Sequence, residues 1–202
     1  MIAIITGDII NSQGNKTSGW LDGLKKYLDD VGKTPKDWEI YRGDEFQVRT
    51  FPENALRVAI QIKALIKCDQ ALDVRMGIGI GTETFRADKV GQSNGEAYQR
   101  SGRLFETLKE KKINLAIATG DRDRDRTLNL IFGLALDFMD NWSPVSAEMV
   151  VQAMKHPEDS QQRMAERFGV RQSAISQRLN RARMDLVLDV LQYYGSLIKE
   201  MK

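Results

Sequence analysis

The first 120 residues alternate short apolar runs with stretches in which apolar residues recur every three or four positions. The short runs predict buried or half-buried strands, and the longer stretches predict amphipathic helices. The predicted strands are 1–6, 38–41, 46–48, 74–80 and 113–118. The predicted helices are 20–31, 52–66 and 95–111. The resulting order, β-α-β-β-α-β-α-β, indicates an α+β fold for this part of the chain.

After Gly120 the spacing of apolar residues is helical only. Residues 121–126 alternate acidic and basic side chains, which is typical of a linker or a helix start. Ser143 followed by Pro144 predicts a further helix start, by a capping side chain and a first-turn proline. We therefore predict a mixed domain at 1–120, a connecting helix at 121–142 and an all-α domain at 143–202.

The segment from Ser160 to Arg183 has the pattern of a helix-turn-helix. The small residue Ala165 stands where two helices would cross closely, and Gly169 can adopt the positive φ that the turn requires. The apolar residues that would form the shared core are Met164, Phe168, Val170, Ile175 and Leu179. With these residues inward, the second helix would direct a polar face outward.

The outward face of this second helix carries side chains suited to DNA. Arg and Gln fit base edges in the major groove, and Ser fits phosphates or bases. Residues 160–184 hold six arginines against one acid, Glu166, although the whole chain carries only +2. The predicted DNA contacts are Arg171, Gln172, Ser173, Ser176, Gln177, Asn180 and Arg181. The alternative is a helical hairpin that serves packing or protein contact.

A last apolar stripe follows the helix-turn-helix. Its members are Val187, Val190, Leu191, Tyr194, Leu197, Ile198 and Met201. This spacing predicts a helix with one apolar face. The face could pair with a second copy, so that a homodimer presents two recognition helices to two half-sites, or it could pack onto the chain's own mixed domain. The sequence leaves both interpretations open.

The composition excludes several classes of protein. The single cysteine excludes an internal disulfide and a cysteine-based zinc cluster, and the single histidine excludes a multi-histidine metal site. The longest apolar run is far shorter than the roughly 18–20 residues that span a bilayer. The first residues lack the basic region of a signal peptide. We therefore expect a cytoplasmic protein without a membrane partner.

Two aspartates are candidates for chemistry in the mixed domain. Asp8 stands at the end of the first predicted strand, and Asp44 lies in the predicted turn between the second and third strands. If these strands are neighbours, the two carboxylates repel each other unless a cation lies between them, and all-oxygen ligation favours Mg²⁺. Such a site can clamp a triphosphate, with the glycine-containing loop around Gly14 offering N–H groups to phosphates. The alternative is that both aspartates only cap turns.

Arg42 to Phe46 (RGDEF) resembles the GGDEF signature of diguanylate cyclases. Together with Asp8-Ile9, residues 75–81 (RMGIGIG) and residues 95–104 (GEAYQRSGRL), it is similar to the ordered motifs of class III nucleotidyl cyclases. The resemblance implies a ferredoxin-like, nucleotide-cyclase-like βαββαβ palm with Mg²⁺ at Asp8 and Asp44. It implies nucleotide contacts at Asp8, Ile9, Gly14, Gly43, Asp44 and Arg103. For an active cyclase it implies catalysis by Asp8, Asp44, Gln99 and Arg103, the last two across a head-to-tail dimer.

Departures from the cyclase pattern favour a degenerate domain. Arg42 replaces the first glycine of the GGDEF signature, Gln99 stands where cyclases carry Asn, and Arg103 matches their Arg. No lysine precedes Gly43-Asp44 where adenylyl cyclases use one to read the base. The metal carboxylates are therefore kept, while groups that read the base or stabilise the transition state are changed.

The whole combination of a cyclase-like domain and a helix-turn-helix, the latter resembling region 4 of sigma factors, is similar to the SatD-like family of regulators. This resemblance implies a DNA-binding transcriptional regulator whose mixed domain senses a nucleotide or similar ligand, or serves as a dimerisation scaffold. An active Mg²⁺-dependent nucleotidyl cyclase fused to a helix-turn-helix is the first alternative. A protein-interaction module with neither activity is the second.

Overall fold

The computed structural model describes residues 1–12, 18–41 and 43–201. Within these ranges the chain is α+β, as predicted, with five strands and eight α-helices. The strands are β1 (Ile2–Ile10), β2 (Trp38–Tyr41), β3 (Glu45–Thr50), β4 (Asp73–Gly81) and β5 (Leu115–Ala118). The helices are α1 (Ser18–Val31), α2 (Ala55–Lys67), α3 (Glu96–Lys111), α4 (Arg122–Met139), α5 (Pro144–Lys155), α6 (Gln161–Phe168), α7 (Gln172–Ala182) and α8 (Met184–Lys199).

The five strands form one mixed sheet in the order β2-β3-β1-β4-β5. The central strand β1 is antiparallel to both of its neighbours, β3 and β4, and only β4 and β5 run parallel. Alternate residues of β1 face opposite sides. Ala3 and Ile5 join the main core with α1 and α2, whereas Ile2 and Ile4 join a smaller cluster with α3. The sheet therefore has helices on both faces.

Helix α3 packs unusually close to β4 because three glycines line the face of the strand that it covers. A Cβ on Gly79 would overlap the backbone of Ala97 and Ser101, and one on Gly77 would lie 3.1 Å from the backbone of α3. Small and apolar residues alternate at 74–80, and this alternation gives β4 one face that a helix can approach closely. The helix backbone is thereby held directly over the centre of the sheet.

Strand β1 and the start of α2 differ from their predicted bounds by several residues, and the charged stretch at 121–126 is a helix start, one of its two predicted interpretations. Strand β1 continues to Ile10, so Asp8 lies inside the strand rather than at its end. The charged stretch at 121–126 is the first turn of α4, because the Asp121 side chain accepts hydrogen bonds from the backbone N–H groups of Asp123 and Arg124. Pro52 opens a short 3₁₀ turn at 52–54 before α2 begins.

The stripe on α8 packs onto its own chain. Val187, Tyr194 and Ile198 are buried in the main core, and the hydroxyl of Tyr194 donates a hydrogen bond of 2.6 Å to the carbonyl of Pro52. The intramolecular interpretation of this stripe is therefore the one that the structure supports. The core continues through all three predicted segments, and their boundaries remain predictions. No helix in the described part of the chain combines the length and hydropathy that a membrane crossing requires.

Candidate functional site

An open polar pocket lies beside the second half of β1. Strand register places Asp8 opposite Glu45 of β3 on one side and opposite Arg75 of β4 on the other. All three side chains are on the face of the sheet that α3 covers, because their positions are in step with the glycines of β4. The residues that line the pocket are Asp8, Ile9, Ile10, Asn11, Ser12, Asp44 and Arg75.

Asp8 lies in the pocket among several charged groups. Its Oδ2 lies 3.6 Å from Nη1 of Arg75, and its buried Oδ1 has no hydrogen-bond partner among the described residues. Burial raises the pKa of the Asp8 carboxyl above its ordinary value. The positive charges of Arg75 and Lys109 lower this pKa, whereas the negative charges of Glu45 and Asp44 raise it further.

Asp44 is tied to the end of β1 by two hydrogen bonds. Its Oδ2 accepts from the hydroxyl of Ser12 at 2.9 Å, and its backbone carbonyl accepts from the N–H of Ile9 at 3.1 Å. Gly43 before it has φ +90°, a conformation that glycine adopts without strain. The turn therefore brings Asp44 into the same pocket as Asp8 and Ile9.

The donors in this pocket fit Mg²⁺ only together with a bound phosphate. In the described residues no group of three or more His, Cys, Asp or Glu side chains is arranged to hold a metal. Mg²⁺ commonly binds one or two carboxylates plus substrate phosphates, and Oδ1 of Asp8 is buried without a hydrogen-bond partner among the described residues, so no such partner competes for it. Arg75 already places a positive charge at Asp8, so a metal is not needed to balance that carboxylate.

Gln99 and Arg103 do not reach this pocket within one chain. Both are exposed on α3, and neither lines the pocket. Lys109 is the α3 residue whose charge acts on Asp8, and Gln99 lies ten residues earlier, about 15 Å along the helix axis. A role for Gln99 beside Asp8 would therefore need a second chain, whereas for Arg103 the structure shows only that it does not line the pocket. Gly14 and Arg42 lie outside the described residues.

Arg75 and Lys109 belong to the site, although sequence reasoning missed them. The ammonium of Lys109 lies 3.2 Å from Glu45 and 4.3 Å from the centre of the Phe105 ring. The guanidinium Nε of Arg75 is buried without a partner among the described residues. The sequence did contain an indication of Arg75. It lies on the same face of β4 as Gly77, Gly79 and Gly81, and it is the charged residue at which this series of glycines ends.

The second candidate surface is the pair α6 and α7. Ser160 caps α6 by accepting a hydrogen bond from the N–H of Arg163, and Gly169 takes a left-handed φ of +62° between the two helices. Met164, Ala165 and Ile175 form a small buried cluster with Met149 of α5. The other predicted core residues pack against this cluster: they are Phe168, Val170 and Leu179.

The opposite face of α7 is open to solvent. Of the residues predicted to contact DNA, Ser176 is half-buried and the others are exposed: Arg171, Gln172, Ser173, Gln177, Asn180 and Arg181. The carboxylate of Asp159 forms ion pairs with Arg163 and Arg167 and so offsets part of their charge. The other four arginines of residues 160–184 form no ion pair with a described residue: they are Arg171, Arg178, Arg181 and Arg183.

The family comparison covers nearly the whole chain. The model of the SatD family matches residues 1–198, and the chain therefore belongs to this family. Searches of curated proteins and of solved structures found no match.

Proposed function

We propose that this SatD-family chain is a DNA-binding transcriptional regulator in which α7 enters the major groove. The observation that carries the proposal is the division of α7 into two faces. Ile175 is buried against α5 and α6, while Gln172, Gln177 and Arg181 are exposed. A helix with one face packed against the rest of the domain and a polar face exposed to solvent is the arrangement that contacts base edges in helix-turn-helix proteins.

The dimensions and charge of α7 support this role. Its eleven residues make a helix about 16 Å long, and an α-helix with its side chains is about 10–12 Å across, which fits a major groove about 12 Å wide. Arg171 stands at its N-terminal cap, and N-terminal residues of a recognition helix commonly contact bases. The resemblance of 160–183 to region 4 of sigma factors agrees with this orientation. The unpaired arginines would supply the salt-dependent contacts to phosphates.

The test begins with the full chain and a random pool of DNA duplexes. Duplexes that the protein enriches are then measured by fluorescence anisotropy at several salt concentrations. We expect Arg171→Ala or Gln177→Ala to weaken binding about 5- to 150-fold, equal to roughly 1–3 kcal/mol. The matched control is Arg126→Ala on α4, which is also exposed but lies outside the motif and should change affinity little.

Two results would contradict this function. One is that no duplex is enriched and that binding to any DNA is independent of salt. The other is that Arg126→Ala weakens binding as much as Arg171→Ala. Either result would favour the interpretation of α6 and α7 as a surface for packing or protein contact.

The mixed domain is, in this proposal, a degenerate ferredoxin-like palm that binds a nucleotide. The antiparallel order β2-β3-β1-β4, with α1 and α2 as connections, supports this assignment, with β5 added at one edge. Asp8 and Asp44 would hold Mg²⁺ bound to the phosphates, Ile9 of the pocket lining would border them, and Gly43 precedes Asp44 in the same turn. Neither Gln99 nor Arg103 lines this pocket, which supports binding without turnover by a single chain.

Thermal unfolding with ATP or GTP and Mg²⁺ tests the palm. A ligand that binds only the folded state raises the melting temperature, by mass action. We expect Asp44→Asn to abolish this rise and Asp22→Asn, an exposed control on α1, to retain it. No rise with the wild-type chain, or an equal rise with both variants, would contradict the nucleotide site.

An active cyclase is the second candidate, because the unpartnered Oδ1 of Asp8 is suited to a metal ion in a reacting complex. Incubation with ATP or GTP and Mg²⁺, followed by product analysis, separates this candidate from a sensor. Formation of a cyclic or linked nucleotide that Asp44→Asn eliminates would establish the enzyme. Melting-temperature rises without product would exclude it for these two substrates.

A homodimer is the last part of the proposal. A groove between α4 and α8 is lined by apolar Ile131, Leu134 and Phe138 on one side, and Leu134 is 68% exposed. Arg183 and Asp189 border the same groove, so a two-fold pairing could match positive with negative charges. Light scattering should show that Leu134→Glu lowers the mass in solution, while Val145→Glu, at another exposed apolar residue, does not.

A further inference from the structure

A separate cleft lies among α1, α2 and α5, on the side of the sheet opposite to α3 and the Asp8 pocket. Its walls are largely apolar, with Tyr27 of α1, Leu65 of α2 and Met154 of α5 among the lining side chains. Mostly apolar clefts with a few polar groups, formed between different parts of a chain, are common binding sites for small molecules.

Two uncharged polar side chains that line the cleft are those of Gln61 and Tyr27. Gln61 of α2 is only 5% exposed, and its Nε2 donates a hydrogen bond of 3.3 Å to the carbonyl of Val151. Its buried Oε1 has no partner among the residues that the structure describes. Burial raises the pKa of the Tyr27 hydroxyl well above its ordinary value, so this group remains a neutral donor at physiological pH.

The rim of the cleft has an excess of positive charge. Lys26, Arg57 and Lys155 line the cleft and are exposed, against the single acid Asp30. Within the described ranges none of these three cations forms an ion pair. Cations at the edge of an apolar cleft complement a molecule with an apolar body and an anionic head.

We propose that this cleft binds a small amphipathic anion, with its apolar body against Leu65 and Met154 and its acidic group at Arg57 and Lys155. The acidic group is a carboxylate or a chemically similar sulfonate or phosphate. Because α5 also packs against α7, the bound molecule contacts the helix that supports the proposed DNA reader. This site is distinct from the nucleotide pocket at Asp8, which lies on the other face of the sheet.

The chain offers a matched pair of variants for testing the cleft. Gly23 lines the cleft in the middle of α1, and a Cβ there meets no atom within 4 Å. Gly23→Phe would therefore fill space that the ligand needs. Gly19 lies one turn earlier on α1, is equally open and does not line the cleft. Gly19→Phe is the control, and both changes remove a helical glycine, so both proteins should fold.

The experiment is calorimetric titration of the full chain with octanoate, an aliphatic carboxylate, and with 8-anilinonaphthalene-1-sulfonate, an aromatic sulfonate. We expect one saturable site for at least one probe, with Kd raised tenfold or more by Gly23→Phe and unchanged by Gly19→Phe. Lys155→Gln should weaken binding of the anion at low salt. Neutral octan-1-ol should bind at least tenfold more weakly than octanoate.

Three outcomes would overturn the proposal. These are the absence of saturable binding for both probes, equal affinity in Gly23→Phe and wild type, and equal affinity for octanol and octanoate. Binding should also be unchanged in Asp44→Asn, which separates the cleft from the nucleotide pocket. A loss of binding in that variant would show that the probes occupy the Asp8 pocket instead.

Discussion

The Asp8 pocket and the outer face of α7 are both polar, but the chain builds them in opposite ways. At Asp8, charged groups from β1, β3 and β4 meet in a half-buried space, and two of their polar atoms lack partners. On α7, the polar groups come from one helix and face solvent. A change at Asp8 should therefore affect stability and its pH dependence, whereas a change on the polar face of α7 should affect binding alone.

Truncating the buried side chain that packs α7 against α5 and α6 is expected to change the free energy of unfolding most. Ile175 is fully buried in a small cluster that is separate from the main core. Ile175→Ala should cost about 3 kcal/mol, the usual size for a large-to-small core change. Because the cluster is separate, we expect hydrogen exchange to accelerate in α6 and α7 more than in β1.

The control for this change is Leu188→Ala on α8, where the side chain is 49% exposed. It should alter stability by less than about 0.5 kcal/mol. Equal acceleration of exchange in β1 and α7 after Ile175→Ala would show that the two regions unfold as one unit. The Asp8 pocket and the α6–α7 pair would then differ in their polar groups but not in independent stability.

The pH dependence of Asp8 is expected to have the next largest effect. Burial raises its pKa in the folded state, so the folded protein binds more protons than the unfolded chain at pH values above the ordinary pKa of about 3.8. The contribution of Asp8 to the free energy of unfolding therefore falls as pH rises through this window. It remains unfavourable at neutral pH.

Asp8→Asn removes this titration. We expect the variant to gain stability relative to wild type as pH increases from 4 to 7, measured by urea unfolding at each pH. Asp22→Asn, at an exposed site, is the matched control variant. A difference for Asp8→Asn that shrinks with rising pH would mean that Arg75 stabilises the ionised carboxylate more than burial destabilises it.

How far the sequence predicts each region follows from how local its signals are. The cap at Ser160, the turn at Gly169 and the period of Ile175 and Leu179 lie within one short segment, so the α6–α7 pair was predictable. DNA binding by these helices remains a prediction, because the same local pattern also suits a helical hairpin that serves packing. The α8 stripe was ambiguous because the same period serves a dimer seam and an intramolecular contact.

The Asp8 pocket depends on non-local information. The carboxylates Asp8 and Asp44 could be paired from motif order, but the position of Arg75 required the register between β1 and β4. Lys109 required the docking of α3 over the glycines of β4 as well. Apolar alternation indicates that a strand exists, whereas it does not state which strand lies beside it.

The smallest expected effect concerns the charge behind α7. Asp159 is only 2% exposed at its side chain and pairs with Arg163 and Arg167, which lie on α6. Asp159→Asn would leave both guanidinium groups free, so the positive potential near the proposed DNA surface should rise. We expect DNA affinity to increase about two- to fivefold, and stability to fall, because the carboxylate that is lost is buried between the two guanidinium groups. Anisotropy titrations at low and high salt should show a steeper salt dependence than wild type, because more phosphate contacts release more counterions.

Asp185→Asn on α8 removes the same charge from an exposed position without breaking an ion pair of a described residue. If both variants strengthen binding equally, net charge alone explains the gain; if only Asp159→Asn does, the two arginines of α6 contact DNA, and the reading surface extends beyond α7.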